Sequence, residues 1–507
     1  MATPAEYVVF LSRNGVKLWV DNGQLRYQAL RGALSAEELA RLRSMKNEIV
    51  AELSNATSAT EAPLSFQQRW FLKLFSERPD WKTTLSFAFR LKGELDPAAL
   101  QRSLEYVLRK HASLRTKIAN VRGEWRLQTE PVSGFQLPIL PVLGESSAER
   151  QERALTLIRE SVTQELDSAV APLMSAQLIR VSTVEHFLVV LVHRLATDCV
   201  GLGQAVRDLW QFYAEARKGA PAHVEESMQY RDYTLWQHAT DEAWRQKHTS
   251  YWNDYLAEAQ PIHWPAQDDT SLADRIGSRE FVSLETSFGE TLSARVRELG
   301  RQTQTLPALL MLSLYAGCIS RWCGQQDLII PFIIAGRTAA QDGVVGCFSH
   351  VVYLRIRLNG TENFIELLKR VSNEFYKTAA FRQDSGRIVT ERPELLRGTL
   401  CQWLSWHPAE VAGAQTDEVA SELGLTVESV PCQSLEELAN VPPGRVDLEI
   451  CFFEGSGKVS IWATCRTDRF TEGAPARLMR EFESFAERAV RDPQAPIGGE
   501  LRPVSSK

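Results

Sequence analysis

Uninterrupted apolar runs mark the strands that this chain buries. Phe187–Val192 is apolar at every position and stops abruptly at His193-Arg194, which is typical of a strand covered on both faces. Leu328–Ala335 is a second run of this kind. Val446–Phe453 and Val459–Thr464 flank a Gly-Ser-Gly turn, and this pattern predicts a β-hairpin.

Segments of helical period lie between these strands. After a predicted strand at Leu85–Leu91, Asp96-Pro97 opens a helix that carries an apolar stripe on one face. Residues 201–216 predict another helix shortly after the His-Arg pair. The apolar stretch Leu306–Ile319 falls short of the roughly 18 clean residues that a membrane span needs, so it predicts a buried helix. The alternation predicts an α/β fold over residues 64–491.

The first 53 residues carry a separate pattern, a small hairpin between two helices. Asn22-Gly23 separates two short alternating segments and is a strong hairpin signal. The pairs that such a turn imposes are Val20 with Leu25, Leu18 with Tyr27, and Val16 with Ala29. We expect all six side chains to be buried, because they share one side of the pleat. Asn14-Gly15 predicts the end of the first helix, and Ser35 with Glu38 predicts a capping box that opens the second.

The opposite face of this hairpin combines an aromatic residue with basic residues. Trp19 lies directly across from Arg26, and Lys17 and Arg31 are close along the chain. One interpretation is a solvent-exposed hairpin with a cation–π contact. The other is a docking surface for an acidic, extended segment of a partner protein.

Composition and charge narrow the function classes. Apolar residues make up 44 % and charged residues 24 % of the 507 residues, which is ordinary globular composition. The net charge is −6, so the chain lacks the excess of basic residues that is typical of nucleic-acid-binding domains. The eight cysteines form no Cys-x-x-Cys pair, which argues against a zinc site and fits a reducing compartment. Because the N-terminus also lacks the basic and apolar regions of a signal peptide, we expect a cytoplasmic protein.

A polar segment follows the buried strand and contains the candidate chemistry. It consists of His193-Arg194-Leu195-Ala196-Thr197-Asp198-Cys199. In open α/β sheets, polar residues at the carboxyl end of a strand face the cleft that borders that edge. A lone histidine in such a place is more often structural than catalytic, and other motifs along the chain change that balance.

Six further motifs follow a recognisable order. They are Leu64–Trp70 (LSFQQRW), Arg109–Thr116 (RKHASLRT), Tyr230–Trp236 (YRDYTLW), Ala335–Thr338 (AGRT), Gly346–His350 (GCFSH) and Arg382–Asp384 (RQD). Together with HRLATDC, which stands where the family has HHxxxDG, these motifs resemble the condensation domains of nonribosomal peptide synthetases. The resemblance covers residues 64–491.

The resemblance implies a fold of two chloramphenicol-acetyltransferase-like lobes in a V-shaped pseudo-dimer. The lobes would comprise residues 64–245 and 246–491, with a linker at 54–63 and a loose tail at 492–507. Residues 1–53 resemble the β-hairpin docking domains of synthetase subunits, which bind a short linear tail of an upstream carrier-protein subunit. Since no adenylation or carrier domain follows, we expect a free-standing enzyme.

The resemblance also implies a reaction. Condensation domains move an acyl chain from the phosphopantetheine thioester of a carrier protein to an amine or hydroxyl acceptor, without a bound cofactor. The expected setting is nonribosomal peptide or hybrid polyketide biosynthesis, with chain release onto a small acceptor as one form. The expected partners are a carrier protein with a C-terminal docking tail and a small-molecule acceptor. We expect the chain to bind neither nucleic acid nor a membrane.

At the catalytic position this chain departs from the family. The family's second histidine is catalytic and its aspartate is structural, which implies a pair of Asp198 with Arg337. Arg194 replaces that histidine, and a guanidinium has no lone pair with which to act as a base. It can still stabilise an oxyanion, so His193 and Arg194 are the candidate catalytic residues, with His350 as a candidate active-site neighbour. The alternative is an inactive condensation-like platform that recruits carrier proteins or tailoring enzymes.

Overall fold

The chain folds into two compact units. The computed structural model describes residues 7–8, 11, 16–21, 24–29, 34–51, 60–77, 82–219, 228–239, 242–265, 281–404, 424–430, 446–455 and 457–497. The first unit comprises Met1–Asp241, Ala335–Ser349 and Ala409–Gln433. The second comprises Glu242–Ile334, His350–Pro408 and Ser434–Lys507.

Strands and helices alternate in both units. The strands are β1 Lys17–Asp21, β2 Gln24–Gln28, β3 Glu61–Pro63, β4 Thr84–Lys92, β5 Thr116–Val121, β6 Glu124–Thr129, β7 Ile139–Pro141, β8 Met174–Arg180, β9 Glu185–His193, β10 Phe281–Ser287, β11 Asp327–Ile334, β12 His350–Arg357, β13 Thr399–Leu404, β14 Thr426–Val430, β15 Leu448–Gly455 and β16 Lys458–Arg466. The helices are α1 Ala36–Ser44, α2 Phe66–Glu77, α3 Pro97–Lys110, α4 Ser147–Val162, α5 Cys199–Arg217, α6 Tyr230–His238, α7 Glu242–Tyr255, α8 Glu290–Thr303, α9 Pro307–Cys323, α10 Phe364–Ala379, α11 Ser385–Glu391, α12 Glu394–Arg397 and α13 Ala474–Arg491. Short 3₁₀ helices cover Ala112–Arg115, Ala339–Gln341 and Arg382–Asp384.

The first unit contains a five-stranded sheet in the order β14-β4-β9-β8-β7 and a three-stranded sheet in the order β3-β6-β5. Strand β9 pairs antiparallel with both β4 and β8, so it lies in the middle of the larger sheet. Its side chains are buried from His186 to His193, and Ala154 and Ile158 of α4 belong to the core that covers it. The predicted burial of Phe187–Val192 on both faces is therefore confirmed.

A six-stranded sheet forms the centre of the second unit, in the order β10-β16-β15-β13-β11-β12. Strands β15 and β16 pair antiparallel up to Gly455 and Lys458, which confirms the predicted hairpin. Helix α9 is buried in the core of this unit, as its apolar composition predicted. Within the residues that the structure describes, no single helix is long and apolar enough to cross a membrane, and α8 with α9 meets that criterion only as a sharply bent pair.

Two segments from the second half of the sequence return to the first unit. These are the segments 335–349 and 409–433. Strand β14 pairs antiparallel with β4, so its backbone hydrogen bonds extend the sheet of the first unit. The expected boundary between the two lobes, after residue 245, lies near the observed change of unit after Asp241. A single boundary does not account for the two segments that return to the first unit. The sequence of a strand as short as β14 does not indicate which strand of which sheet it will pair with.

The N-terminal hairpin has the predicted register. Strands β1 and β2 place Leu18 opposite Tyr27 and Trp19 opposite Arg26. The predicted capping box before α1 is also present. The core of this segment contains Tyr7, Leu11, Val16, Leu18, Leu42 and Ile49. The prediction that Tyr27 is buried is wrong, because this core covers β1 more fully than β2 and leaves Tyr27 49 % exposed.

Several predictions for the termini and the hairpin fall outside the described part of the chain. They concern Asn14-Gly15, Asn22-Gly23, Arg31, the side chains of Lys17, Trp19 and Val20, residues 54–59 of the linker and residues 498–507 of the tail. The described ends of the linker and of the tail differ from the prediction, because Glu61–Pro63 pairs with β6 as strand β3 and the N–H of Ile497 donates to the carbonyl oxygen of Glu362 at 2.9 Å.

Candidate active site at the end of strand β9

The candidate site follows β9 and turns directly into α5. His193 is the last residue of β9 and lies opposite Thr84 of β4. The backbone N–H of Arg194 donates to the carbonyl oxygen of Thr83 at 2.8 Å and continues the ladder. Asp198 then caps α5, because its Oδ1 accepts a hydrogen bond from the N–H of Gly201 at 2.9 Å. A buried strand and a capped helix therefore fix the two ends of this segment.

The Asp198 carboxylate is saturated with hydrogen-bond donors. Arg337 donates from Nη1 to Oδ2 at 2.6 Å and from Nη2 to Oδ1 at 2.7 Å. The N–H of Phe348 and the hydroxyl of Ser349 also donate to Oδ2, at 3.0 and 3.3 Å. Together with the Gly201 cap, these bonds fill the roughly four lone-pair sites of a carboxylate. This side chain therefore has no acceptor capacity left for a substrate, and its geometry is that of a structural ion pair.

Arg337 is held from several sides at once. Its guanidinium carbon lies 4.4 Å from the centroid of the Phe348 ring, in a cation–π contact. Its Nη2 also lies 3.3 Å from the carbonyl oxygens of Val344 and Gly346. The AGRT and GCFSH motifs therefore meet at the same carboxylate.

Two side chains from other parts of the first unit anchor the segment 335–349. The hydroxyl of Ser113 donates to the carbonyl oxygen of Val345 at 2.9 Å, and that of Tyr230 donates to the carbonyl oxygen of Cys347 at 2.6 Å. Gly346 lies against the Tyr230 ring, and a Cβ atom there would be 2.0 Å from a ring carbon. Only glycine allows this approach, so the tyrosine that opens YRDYTLW has a structural partner in the GCFSH motif.

His193 is buried and electrically neutral. The residue is 2 % exposed, and its ring meets the Phe75 ring edge-on with 5.9 Å between centroids. Its Nδ1 accepts a hydrogen bond from the N–H of Leu195 at 3.1 Å, which leaves the ring proton on Nε2. Burial, together with the neighbouring Arg194 charge, lowers the pKa of His193 to about 4. The Nδ1 lone pair is thus engaged in this arrangement, and a role for His193 as the base stays a prediction.

The dependence of stability on pH should reveal this neutral histidine. Its pKa is about 4 in the folded state, below the ordinary value of about 6.5, so the unfolded chain takes up a proton first as the pH falls. The stabilisation is therefore complete above pH 6.5, and about 2 kcal/mol of it should be lost by pH 5. An asparagine at this position keeps an acceptor for Leu195 but cannot titrate. We expect His193→Asn to lose less unfolding free energy than the wild type between pH 7 and pH 5 in urea titrations.

The other histidines provide the control for this measurement. Burial also lowers the pKa of His111 and of His186, and both titrate equally in the variant and in the wild type. His263 is exposed, so His263→Asn is the matched control for the change of side chain. Parallel profiles for His193→Asn and the wild type would contradict the assignment of a buried, neutral His193.

Arg194 brings a permanent positive charge into this buried segment. The residue is 5 % exposed. Local burial raises the pKa of the Cys199 thiol to about 11, against the opposing effect of Arg194 and Arg337. Burial also raises the pKa of Cys347, and Arg194 opposes that shift as well. Both thiols therefore stay protonated near neutral pH, and Cys199 is not an activated nucleophile.

Sequence reasoning missed a second buried ionic cluster in the first unit. His111 Nε2 lies 2.6 Å from Oδ2 of Asp208, and Lys110 Nζ lies 2.8 Å from Oδ1. Burial opposes the ionisation of Asp208, but the hydrogen bonds from these two side chains outweigh it and lower the pKa of the carboxyl. The cluster joins the end of α3 to α5. The signal available in the sequence was His111 inside the RKHASLRT motif, with nothing to indicate its partner.

The remaining predicted residues lie in different places. His350 is buried at the start of β12, in the second unit, and is paired with Ile334. Its role as an active-site neighbour stays a prediction. Arg26 is exposed on β2. In the described ranges, no group of three histidine, cysteine, aspartate or glutamate side chains has the arrangement of a metal site.

The family profile of the condensation domain matches residues 58–504. This chain belongs to the condensation-domain family. Residues 5–55 match the TubC N-terminal docking domain, so a docking domain precedes the condensation domain. Both matches agree with the resemblance found in the motifs, and together they imply carrier proteins as partners.

The chain is also similar to curated proteins and to solved structures. It is 28 % identical over 449 residues to chondramide synthase cmdD of Chondromyces crocatus, and the match covers 86 % of this chain and 11 % of that protein. The chain spans 3 to 14 % of the lengths of the curated relatives compared with it.

Two solved structures share the fold. The X-domain from teicoplanin biosynthesis, solved in complex with OxyB, has a TM-score of 0.69 and 21 % identity over 89 % of this chain and 97 % of that one. The starter condensation domain of rhizomide synthetase RzmA has a TM-score of 0.68 and 16 % identity over 88 % of this chain and 100 % of that one. The predicted α/β fold of a condensation domain is therefore confirmed.

Proposed function

We propose that this condensation domain transfers an acyl chain from the phosphopantetheine thioester of a carrier protein to an amine acceptor. The observation that carries this proposal is Arg194, a buried cation at the position of the family's second histidine. A guanidinium stays protonated throughout and can stabilise the negative charge that develops on the thioester oxygen. Membership of the condensation-domain family supports the reaction class.

An amine is the proposed acceptor because the two obvious bases are engaged. Nδ1 of His193 accepts the Leu195 N–H, and Asp198 is saturated by donors that include both terminal nitrogens of Arg337. A neutral amine carries its own lone pair and attacks a thioester without prior deprotonation. A hydroxyl acceptor would need a general base to remove its proton.

The proposed step balances without a further cofactor. The amine nitrogen attacks the thioester carbon and forms a C–N bond, and the oxygen takes up negative charge beside Arg194. The C–S bond then breaks, and the carrier's pantetheine sulfur leaves as a thiolate. The proton released by the nitrogen passes through solvent to that sulfur, which yields an amide and a free carrier thiol.

A second candidate function is a recruitment platform that binds carrier proteins or tailoring enzymes without transferring an acyl group. The engaged Nδ1 lone pair of His193 favours this alternative. Arg194 stands where the family has its catalytic histidine, and an engaged His193 would not take over as the base. The X-domain of teicoplanin biosynthesis, which has this fold, was solved as a complex with OxyB.

Single-turnover transfer, followed by intact-protein mass spectrometry, tests the proposal. An acyl-loaded carrier protein is mixed with the condensation domain and with an amine, or with the alcohol of the same skeleton. We expect the acyl mass to leave the carrier with the amine and to remain with the alcohol, and the rate to follow the ammonium pKa of the amine. Retention of the acyl group with every acceptor, while carrier binding persists, would support the platform instead.

For the N-terminal docking domain we propose a linear tail of the carrier subunit as the ligand. The match to a docking domain supports this, as do the exposed Arg26 and Tyr27 on β2. Lys17, Trp19 and Arg31 are the further contact residues that the sequence predicts. An acidic tail would lie along this basic and aromatic strand.

A charge reversal on β2 should separate docking from catalysis. We expect Arg26→Glu to weaken binding of a tail-bearing carrier protein about threefold, because one solvent-screened ion pair is lost. Transfer from a small thioester mimic should be unchanged, and the effect should shrink at high salt. Arg43→Glu, an equal charge change at an exposed position of α1, is the matched control. Equal loss with both substrates would refute the docking role.

A further inference from the structure

The first unit contains a cavity that the proposed acyl transfer does not use. Its volume is about 360 Å³, and it is lined by Arg115 of the RKHASLRT motif and by the segments 130–135 and 169–172. We propose that this cavity binds a small carboxylic acid with an apolar body. The proposal is independent of the proposed function, because neither His193 nor Arg194 lines the cavity.

Two backbone carbonyl groups fix the guanidinium of Arg115. Its Nε donates to the carbonyl oxygen of Leu108 at 3.0 Å, and its Nη1 donates to the carbonyl oxygen of Glu130 at 2.5 Å. The first of these carbonyls belongs to the last turn of α3, where a helix leaves its carbonyl groups without an intrahelical partner. The side chain is therefore oriented before any ligand arrives, which reduces the entropy that binding costs.

Three N–H groups of the Arg115 guanidinium remain for a ligand. A guanidinium has five N–H donors, and the two carbonyl groups use one on Nε and one on Nη1. Nη2 makes no hydrogen bond within the described part of the chain, and it is not one of the buried donors that lack an acceptor, so it is open to solvent. The two oxygens of a carboxylate can accept from two of these groups at once.

No carboxylate balances the charge of Arg115. The other two charged residues of the lining neutralise each other, because Lys117 Nζ lies 2.7 Å from Oε1 of Glu130. Asp167, which precedes one wall of the cavity, uses its Oδ1 to accept the N–H of Ala169 at 2.8 Å. Among the described residues Arg115 has no ion-pair partner, and its pKa is lowered by burial without a neighbouring charge to raise it. An anion is therefore the ligand that this guanidinium favours.

The rest of the lining is largely apolar. Eight of the twelve lining residues are apolar, and they include Leu108, Phe135 and Val170. Val170 is 60 % exposed, so an apolar group in the cavity would remove part of this side chain from water. The volume lies within the range of about 300–1,000 Å³ that is typical of sites for small molecules. The ligand that fits combines one carboxylate with a ring or a short alkyl chain.

Hydrogen bonds to the rest of the first unit hold both walls of the cavity. On one wall, Nε2 of Gln101 donates to the carbonyl oxygen of Phe135 at 2.8 Å. At the end of the other wall, the N–H of Leu173 donates to the carbonyl oxygen of Leu114 at 2.7 Å. Because these bonds tie each wall to a neighbouring element, the cavity is formed without a ligand.

A titration of the full chain with phenylacetate and with the neutral phenylacetamide, followed by ligand-detected NMR, tests this site. We expect phenylacetate to bind saturably and the amide to bind at least about tenfold more weakly, because it offers no charge to Arg115. Arg115→Gln should weaken phenylacetate at least about tenfold, because the charge-assisted hydrogen bonds are lost. Val170→Glu places a second carboxylate on the wall and should weaken it by a similar factor.

Matched variants keep the test specific. Val170→Lys changes the same position with the opposite charge and should not weaken phenylacetate. Val184→Glu repeats the substitution at a valine that is 52 % exposed and lies outside the cavity, so binding should stay within about twofold of the wild type. If Arg115→Gln does not fold because α3 loses its contact, the variants of the exposed Val170 carry the test. The proposal is overturned if phenylacetate does not bind saturably, if the amide binds equally well, or if Val170→Lys or Val184→Glu weakens binding as much as Val170→Glu.

Discussion

We expect Asp198→Ala to lower the free energy of unfolding by about 3–5 kcal/mol, because it removes one partner of a buried ion pair. Arg337, whose side chain is 10 % exposed, would lose the carboxylate that accepts from both of its terminal nitrogens. The N–H of Phe348 and the N–H of Gly201 would lose the same acceptor, so the cap of α5 and the anchor of segment 335–349 fail together. Urea unfolding of the purified variant measures this loss.

A variant of Arg337 and a control variant at the surface show whether this loss of stability is specific to the ion pair. Arg337→Met should destabilise the chain as well, and the double variant Asp198→Ala with Arg337→Met should cost less than the sum of the two single changes, since the pair is coupled. Asp492→Ala, at an exposed position, should change stability little. A fully stable but inactive Asp198→Ala protein would point to a direct chemical role for this carboxylate.

We expect Arg194→Ala to slow single-turnover acyl transfer by about 10²-fold or more, because the site loses the charge that we propose stabilises the developing oxyanion. Carrier binding should be unchanged, since the docking domain is intact. Arg194→His restores the family's pair of histidines and should keep or raise the transfer rate. Arg194→Lys keeps a positive charge with fewer donors, so we expect a rate between those of the alanine variant and the wild type.

The two neighbouring positions should respond differently. His193→Asn keeps the acceptor for the Leu195 N–H, so transfer should fall far less than in Arg194→Ala. A loss as large as that of Arg194→Ala would show that His193 takes part in the chemistry. Unchanged transfer in Arg194→Ala, with an unchanged unfolding free energy, would remove Arg194 from the mechanism.

Local signals in the sequence were sufficient for the elements that frame the site. The uniform apolar run Phe187–Val192 became β9, and Asp96 caps α3 through the N–H groups of Ala98 and Ala99, as the Asp-Pro pair predicted. Such predictions succeed because burial on both faces and capping depend on neighbours in the sequence. The predicted pair of Asp198 with Arg337 came from the family resemblance, and the structure brings these two side chains into contact.

Features that depend on long-range packing could not be predicted in this way. No spacing in the sequence indicates that Asp208 meets His111, or that β14 joins the sheet of the first unit. The lone pair of His193 is engaged because the following turn brings the N–H of Leu195 back to its ring. That detail of backbone geometry is invisible in the motif itself.

The thiols of Cys199 and Cys347 stay protonated, which bears on the proposed acyl transfer. With a pKa of about 11, Cys199 is a thiolate in less than about one molecule in a thousand at pH 7.5, whereas an ordinary thiol has a pKa near 8.5. In the proposed transfer, neither Cys199 nor Cys347 would therefore take up the acyl chain readily. A thiol-reactive label applied during turnover would report the discharged carrier arm in preference to these two thiols.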